Sequence, residues 1–167
     1  MPTDWAAVYR ETFPALVRFL YRKVWEADRA EDLAQEVFVR VLDQDPDNPR
    51  AFVFTVAANL ARDEARTAIR RRKHLELVKA EQPVPSIESP GEELERREQE
   101  RQVQAALAQL SERDREVLLL WDAGLGYDEI AAQTGLARGA IGTTLSRARK
   151  RLVEAHAAME GSDVALG

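Results

Sequence analysis

The chain has 167 residues, with 24 Lys plus Arg against 29 Asp plus Glu, a net charge of −5 and no cysteine. Without Cys there is neither a disulfide framework nor a thiolate metal site, and the only histidines, His74 and His156, are too far apart in sequence to suggest a zinc centre. The longest apolar runs, such as Val117 to Trp121, fall far short of the ~20 residues of a membrane span, and Met1 to Arg10 lacks the basic-then-apolar order of a signal peptide, so a cytoplasmic location without membrane insertion is expected.

Trp5, Val8, Tyr9, Thr12, Phe13, Leu16, Phe19, Leu20 and Val24 recur at helical spacing, which predicts a long amphipathic helix. Pro14 lies inside it, where a proline kinks or divides a helix. Leu33, Val37, Phe38, Val41 and Leu42 predict a second helix, closed by the turn-rich stretch Asp43 to Pro49. Glu26, Asp28, Glu31, Asp32 and Glu36 crowd its start, with Arg29 the only opposing charge. Acids in a first turn stabilise a helix on their own account, and the same cluster is also the pattern of a protein-binding face.

A third helix is predicted from about Arg50, with Phe52, Val53, Val56, Ala57, Leu60 and Ile69 on its apolar side. Arg62, Arg66, Arg70 and Lys73 follow at intervals of four, four and three, so they share one face, and Arg71 and Arg72 thicken its end. Such a stripe is the footprint expected for a phosphate backbone, although cations near a helix C-terminus also favour the macrodipole.

Residues 80–104 hold 3 basic and 7 acidic side chains, whereas residues 1–79 hold 14 and 13. Pro83, Pro85, Ser86, Ser89, Pro90 and Gly91 resist regular structure, so a linker is placed at about residues 80–92. Domains are therefore expected at 1–79 and 105–160, with 80–104 an acidic linker running into the first helix of the second. After it, Leu94, Val103, Leu107 and Leu110 continue a helix, and Ser111 with Asp114 resembles an acidic variant of a capping box. Val117, Leu118, Leu120 and Trp121 are read as the buried side of the next helix. Gly124, Gly126 and Gly135 then bracket Tyr127 to Thr134 and precede a stretch from Ala137 to about His156, which is the helix-turn-helix pattern. From Ile130 to Val153 there is no acid, while Arg138, Arg147, Arg149, Lys150 and Arg151 are basic. No alternating strand pattern occurs, so the expected fold is all-α: two small helical domains joined by a flexible linker, the C-terminal one a helix-turn-helix.

With these residues in view, the chain resembles the extracytoplasmic-function group of bacterial RNA polymerase sigma factors. The most specific likeness is Asp28-Arg29-Ala30-Glu31-Asp32-Leu33-Ala34-Gln35-Glu36-Val37-Phe38, close to the family's pattern Asp-Ala-Glu-Asp-Leu-(Ala/Val)-Gln-Glu-(Val/Thr)-Phe. The resemblance implies core-polymerase binding by Asp32, Leu33, Gln35, Glu36 and Phe38. Arg50 to Asp63 is similar to the segment that reads the −10 element, with Phe52 where the family commonly carries Trp. It implies −10 contacts by Phe52, Asn59, Arg62, Arg66 and Arg70. Asp43 to Pro49 corresponds to the loop that, in the family, caps a flipped base. Leu110 to Leu118, Gly126 to Ala131 and Leu145 to Leu152 resemble the −35-binding helix-turn-helix, which implies DNA contacts by Arg138, Thr143, Thr144, Arg147 and Arg149. The partners implied are core RNA polymerase and promoter DNA. Many relatives are held inactive by an anti-sigma factor, and no residue here identifies one.

One segment departs from the family. Where Ser-X-Gly-Thr-Val-Lys-Ser-Arg-Leu is common, the chain has Ala137-Arg138-Gly139-Ala140-Ile141-Gly142-Thr143-Thr144-Leu145. Loss of the capping Ser costs roughly 1 kcal/mol, and a glycine within a helix costs about another 1 kcal/mol relative to Ala. Removing Lys and Arg at 142 and 144 is expected to weaken phosphate attraction, and restoring both to steepen the salt dependence. Thr143 and Thr144 remain able to contact bases or thymine methyls.

The expected work is binding followed by strand separation. No cofactor and no enzyme activity are expected, because no Gly-rich phosphate loop, nucleophile elbow or metal-ligand cluster is present. Asp63 and Glu64, beside arginines on a helix, read as ion-pair partners. The competing reading is a stand-alone regulator of the LuxR type, since that class shares much of the C-terminal pattern.

Overall fold

The computed structural model describes residues 2–75 and 90–166. Among them the architecture is helical throughout: α1 (Trp5–Val24), α2 (Ala27–Val41) and α3 (Pro49–Leu75) pack as an N-terminal unit, and α4 (Pro90–Ala108), α5 (Glu112–Asp122), α6 (Tyr127–Thr134) and α7 (Arg138–Leu166) as a C-terminal one. Residues 80–89 of the expected linker, and the side chains of Ile69, Arg71, Arg72 and Lys73, lie outside the described residues. Pro90 to Glu92, which the linker reading includes, already form the first turn of α4, where a proline has no intrahelical N–H to lose.

The N-terminal unit follows the apolar periodicity. Leu16, Phe19 and Leu20 of α1, Leu33, Val37, Phe38 and Val41 of α2, and Val53, Phe54 and Ala57 of α3 are buried together. Full burial of each large aliphatic side chain contributes roughly 1.5–3 kcal/mol. Asp4 caps α1 by accepting from the Ala7 N–H at 3.1 Å, and Asn48 accepts from the Ala51 N–H at 3.1 Å just ahead of Pro49. Helix α1 runs unbroken through Pro14, which lies on its exposed side, so the proline is accommodated within the helix and does not divide it. Arg29 of α2 donates to both Glu64 oxygens of α3 at 2.6 Å, so one of the two acids expected to pair does so between helices.

In the C-terminal unit Val117, Leu119, Leu120, Leu125, Ile130, Ile141, Leu145 and Ala148 are buried. One expected burial needs correction there: Trp121 turns outward, 37% exposed, while Leu119 takes the inward position. Leu94 lies within α4 as expected, on its exposed side. Only half of the expected capping box forms. Ser111 accepts from the Asp114 N–H at 3.1 Å, but the Asp114 carboxylate turns to Arg147 of α7, 2.8 Å from its Nη2.

The two units are docked on each other. Lys23 of α1 pairs with Glu116 of α5, and the Tyr21 hydroxyl donates to Glu100 of α4. Asn48 Nδ2 donates to Glu129 at 3.1 Å, Arg50 Nη2 to the Ala123 carbonyl at 3.2 Å, and the Thr55 hydroxyl to Gln133. Gly124 matters to this seat: its φ is +94°, and a β-carbon there would lie 2.6 Å from Arg50 Nη2. Burial, and then the bond to Glu100, push the Tyr21 phenol up to about 12. Because the folded value lies above the ordinary 10, this bond is complete below pH 10 and is lost as pH rises towards 12.

Candidate nucleic-acid interface

Three helices carry the residues singled out in the sequence. On α2 the turn of 100° per residue puts Asp32, Gln35 and Val39 on one outward stripe, with Glu36 and Leu42 at its edges. Asp32 and Gln35 are exposed, and Glu36 is half-buried and pairs with Arg40 at 2.8 Å. Val39 is 69% and Leu42 60% exposed, unusual for large apolar residues on a helix that buries its other side. Sequence reasoning attaches no binding role to either, since Leu42 enters only as one of the apolar residues that predict the helix; their exposure is visible only once the helix is rotated into place. Leu33 and Phe38 are corrected: both are buried, and Phe38 sits edge-on to Tyr9 with ring centroids 4.9 Å apart. They support the α2 face from beneath and offer no surface to a partner.

On α3, Phe52, Thr55, Asn59, Arg62, Arg66 and Arg70 fall within one broad face, which Asn48, just ahead of the helix, extends. Asn59, Arg62, Arg66 and Arg70 are exposed, and the three arginines make no ion pair among the described residues. Phe52 is half-buried against the core, leaving part of its ring accessible, while Phe54 is fully buried edge-on to Phe19. The docked C-terminal unit partly covers the first half of this face, bonding to Asn48, which stays exposed, and to Thr55, which is half-buried, and leaves the arginine half open. A groove of about 900 Å3 between the units is walled by Arg22, Arg29 and Arg62 on one side and by Arg113, Arg115 and Gln133 on the other.

On α7, the outward face carries Gly139, Thr143, Ser146, Arg147 and Lys150, all exposed. Arg138 and Arg149 flank it, Arg138 paired with Asp128 of α6 and Arg149 lying 5.7 Å from the Trp121 ring. The Arg138 pair is highly exposed on both sides and contributes little, so exchanging it for a phosphate is inexpensive. Ser146 was not singled out from the sequence, having no charge and no family role attached to it.

One residue of this set needs correction. Thr144 is 5% exposed, on the opposite flank from Gly142, so it packs inside the unit and is removed from the outward face. An Arg there would have to be forced past buried neighbours, so restoring charge at 144 is expected to lower stability without steepening the salt dependence. Arg147 is committed to Asp114, whose carboxylate is nearly inaccessible. Only the part of its guanidinium that this bond leaves free is open to a ligand.

The Arg147 hydrogen bond holds the Asp114 carboxyl below its ordinary 3.8, against the opposing effect of burial. A depressed folded value means that the stabilisation is complete above about pH 4 and drains away as pH falls through the lower folded value. Asp114→Asn is therefore expected to flatten the acid limb of a thermal-stability profile below pH 4. A limb of unchanged steepness contradicts the assignment.

The comparisons with known proteins cover both units. The family model for sigma-70 region 2 matches residues 8–73 and that for sigma-70 region 4 matches residues 100–152. The ECF RNA polymerase sigma factor EcfG of Rhodopseudomonas palustris is 34% identical over 145 residues, covering 83% of this chain and 77% of its own. The sigma factor RpoE of Bartonella quintana, solved in complex with the anti-sigma factor NepR, superposes with a TM-score of 0.64 at 27% identity over 91% of this chain and 96% of that one. CnrH, solved in complex with the cytosolic domain of CnrY, gives 0.62 at 25% identity over 95% and 88%.

Proposed function

The chain belongs to the extracytoplasmic-function sigma factors of RNA polymerase, proteins of promoter recognition and transcription initiation, and on that premise we propose which of its surfaces does each part of the work. The outward stripe of α2 binds core polymerase: Asp32, Gln35 and Glu36 supply charge and hydrogen bonds, and Val39 and Leu42 the apolar contact. The observation that carries this is the unpartnered exposure of Val39 and Leu42 beside an acidic stripe, on a helix whose other side is fully packed.

The α3 face takes the −10 element. Asn59 offers a paired donor and acceptor to a base edge, Arg62, Arg66 and Arg70 hold phosphates, and the accessible part of Phe52 supports an unstacked base. The α7 face takes the −35 duplex through Thr143, Ser146, Lys150, Arg138 and Arg149, with Arg147 in a lesser part. Strand separation then needs no covalent step, since binding to the separated strand offsets the loss of stacking. An anti-sigma factor, the class of partner that holds RpoE, is a further expected partner of this chain.

In the docked arrangement the C-terminal unit holds Asn48 and Thr55 and partly covers the first half of the α3 face, so the free chain binds promoter DNA weakly until core polymerase separates the units. The stand-alone regulator reading predicts the reverse, specific duplex binding without polymerase. The test of the surfaces is holoenzyme binding to promoter DNA as a function of salt. Replacing Arg62 and Arg66 by Ala is expected to lower the slope of log affinity against log salt by about 1 for each phosphate no longer neutralised. An unchanged slope in the double variant overturns the −10 assignment.

A further inference from the structure

The glycine at 142 opens a gap in the recognition helix, and a specific group stands behind it. A β-carbon at Gly142 would lie 3.5 Å from the Tyr127 hydroxyl and 3.6 Å from Tyr127 Cε2, ordinary contact distances that admit a methyl group. A longer side chain at 142 would lie across the hydroxyl. Tyr127 opens α6 and is 37% exposed, with its ring 5.5 Å from that of Trp121, over which Arg149 lies. The hydroxyl makes no hydrogen bond among the described residues. Nearby acids are already engaged, Asp128 with Arg138 and Glu129 with the Gly126 N–H and Asn48, so they do not claim it.

We propose that the Tyr127 hydroxyl, reached through the gap at Gly142, donates a hydrogen bond to a backbone phosphate oxygen of the −35 duplex. This rests on the reading of α7 as the −35 helix. A phosphate is the partner, and not a base, because Tyr127 sits at the start of the first helix of the helix-turn-helix, the helix that crosses the DNA backbone, and Arg138 and Arg149 flank the same edge. The contact replaces a cation at 142 with a neutral donor. A neutral donor releases no counterion, so it adds affinity without adding salt dependence. Gly142 is thus a specific feature of this chain's DNA contact, and its cost to the helix is offset by access to the phenol.

The test measures reconstituted holoenzyme on a promoter duplex that it has itself enriched from a random library, titrated with salt. Tyr127→Phe keeps the ring contact with Trp121 and an unchanged melting temperature, and is expected to weaken binding about tenfold with no change in salt slope. Gly142→Lys is expected to steepen the slope by about 1 and to abolish the effect of Tyr127→Phe in the double variant. Lys150→Ala, on the outward face of α7, reports on the underlying reading by lowering the slope by about 1. If Lys150→Ala behaves so while Tyr127→Phe binds like the intact chain, or still weakens binding beside Gly142→Lys, the phosphate contact is overturned and the −35 reading stands. If Lys150→Ala has no effect on affinity or slope, the −35 reading fails and the contact falls with it.

Discussion

Phe38→Ala is expected to lower the stability of the N-terminal unit by about 3–5 kcal/mol, the range for removing a packed aromatic side chain from a core. Phe38 is 6% exposed, edge-on to Tyr9 and 6.3 Å from Phe13 by ring centroids, so truncation leaves a cavity where α1 and α2 meet. Phe54→Ala, at a fully buried site under Phe19, is expected to fall in the same range. Asp32→Arg makes the contrast, because Asp32 is exposed and touches nothing in the core. It is expected to leave thermal unfolding unchanged and to abolish capture by core polymerase. Unfolding followed by circular dichroism separates the cases. If Phe38→Ala keeps the intact melting temperature yet fails to bind polymerase, Phe38 touches the partner directly after all.

Lys23→Glu is expected to shift the balance between docked and separated units about tenfold towards separation, the equivalent of about 1.4 kcal/mol. Its side chain and that of Glu116 are each about one-fifth exposed, 22% and 18%, so the pair is screened less than a surface pair. Reversal opposes two carboxylates there and leaves Tyr21, Asn48, Arg50 and Thr55 to hold the seat. Energy transfer between dyes on α2 and α7 reads the separation. The same variant is expected to bind a single-stranded −10 oligonucleotide more tightly than the intact chain without polymerase, because the Asn48 to Thr55 half of the α3 face is uncovered. Adding Glu116→Lys restores the opposite charges and is expected to restore the docked state. Unaltered energy transfer in Lys23→Glu, or failure of the double exchange to reverse it, contradicts the role given to this pair.

The elements were legible in the sequence because their causes are local. Helical spacing of Leu16, Phe19 and Leu20, the turn residues Asp43 to Pro49, and the glycines at 124, 126 and 135 each mark a helix or its end within a few residues. Rotation about each helix axis was less legible. A motif such as Asp32 to Phe38 names a segment, and within it Leu33 and Phe38 point inward while Asp32 and Gln35 point out, a division set by the 3.6-residue repeat and not by the motif. Thr144 was misplaced for the same reason: one position from Thr143 is 100° of rotation, enough to move a side chain from solvent into the core. The docked interface was not legible at all. Lys23 and Glu116 are 93 residues apart, and neither a period nor a composition links them. Tyr127 and Gly142 were separately visible, but their approach depends on how α6 crosses α7.

The central claim is that this chain directs core RNA polymerase to promoters, and run-off transcription tests it most directly. Purified core polymerase is combined with the intact chain, or with Asp32→Arg, on a pooled promoter library, and discrete transcripts are mapped to their start sites. The account predicts discrete start sites with the intact chain, sharing −10 and −35 sequences at fixed spacing, and none with Asp32→Arg at equal melting temperature. A folded intact chain that yields no transcript, yet binds a specific duplex without polymerase, would contradict it.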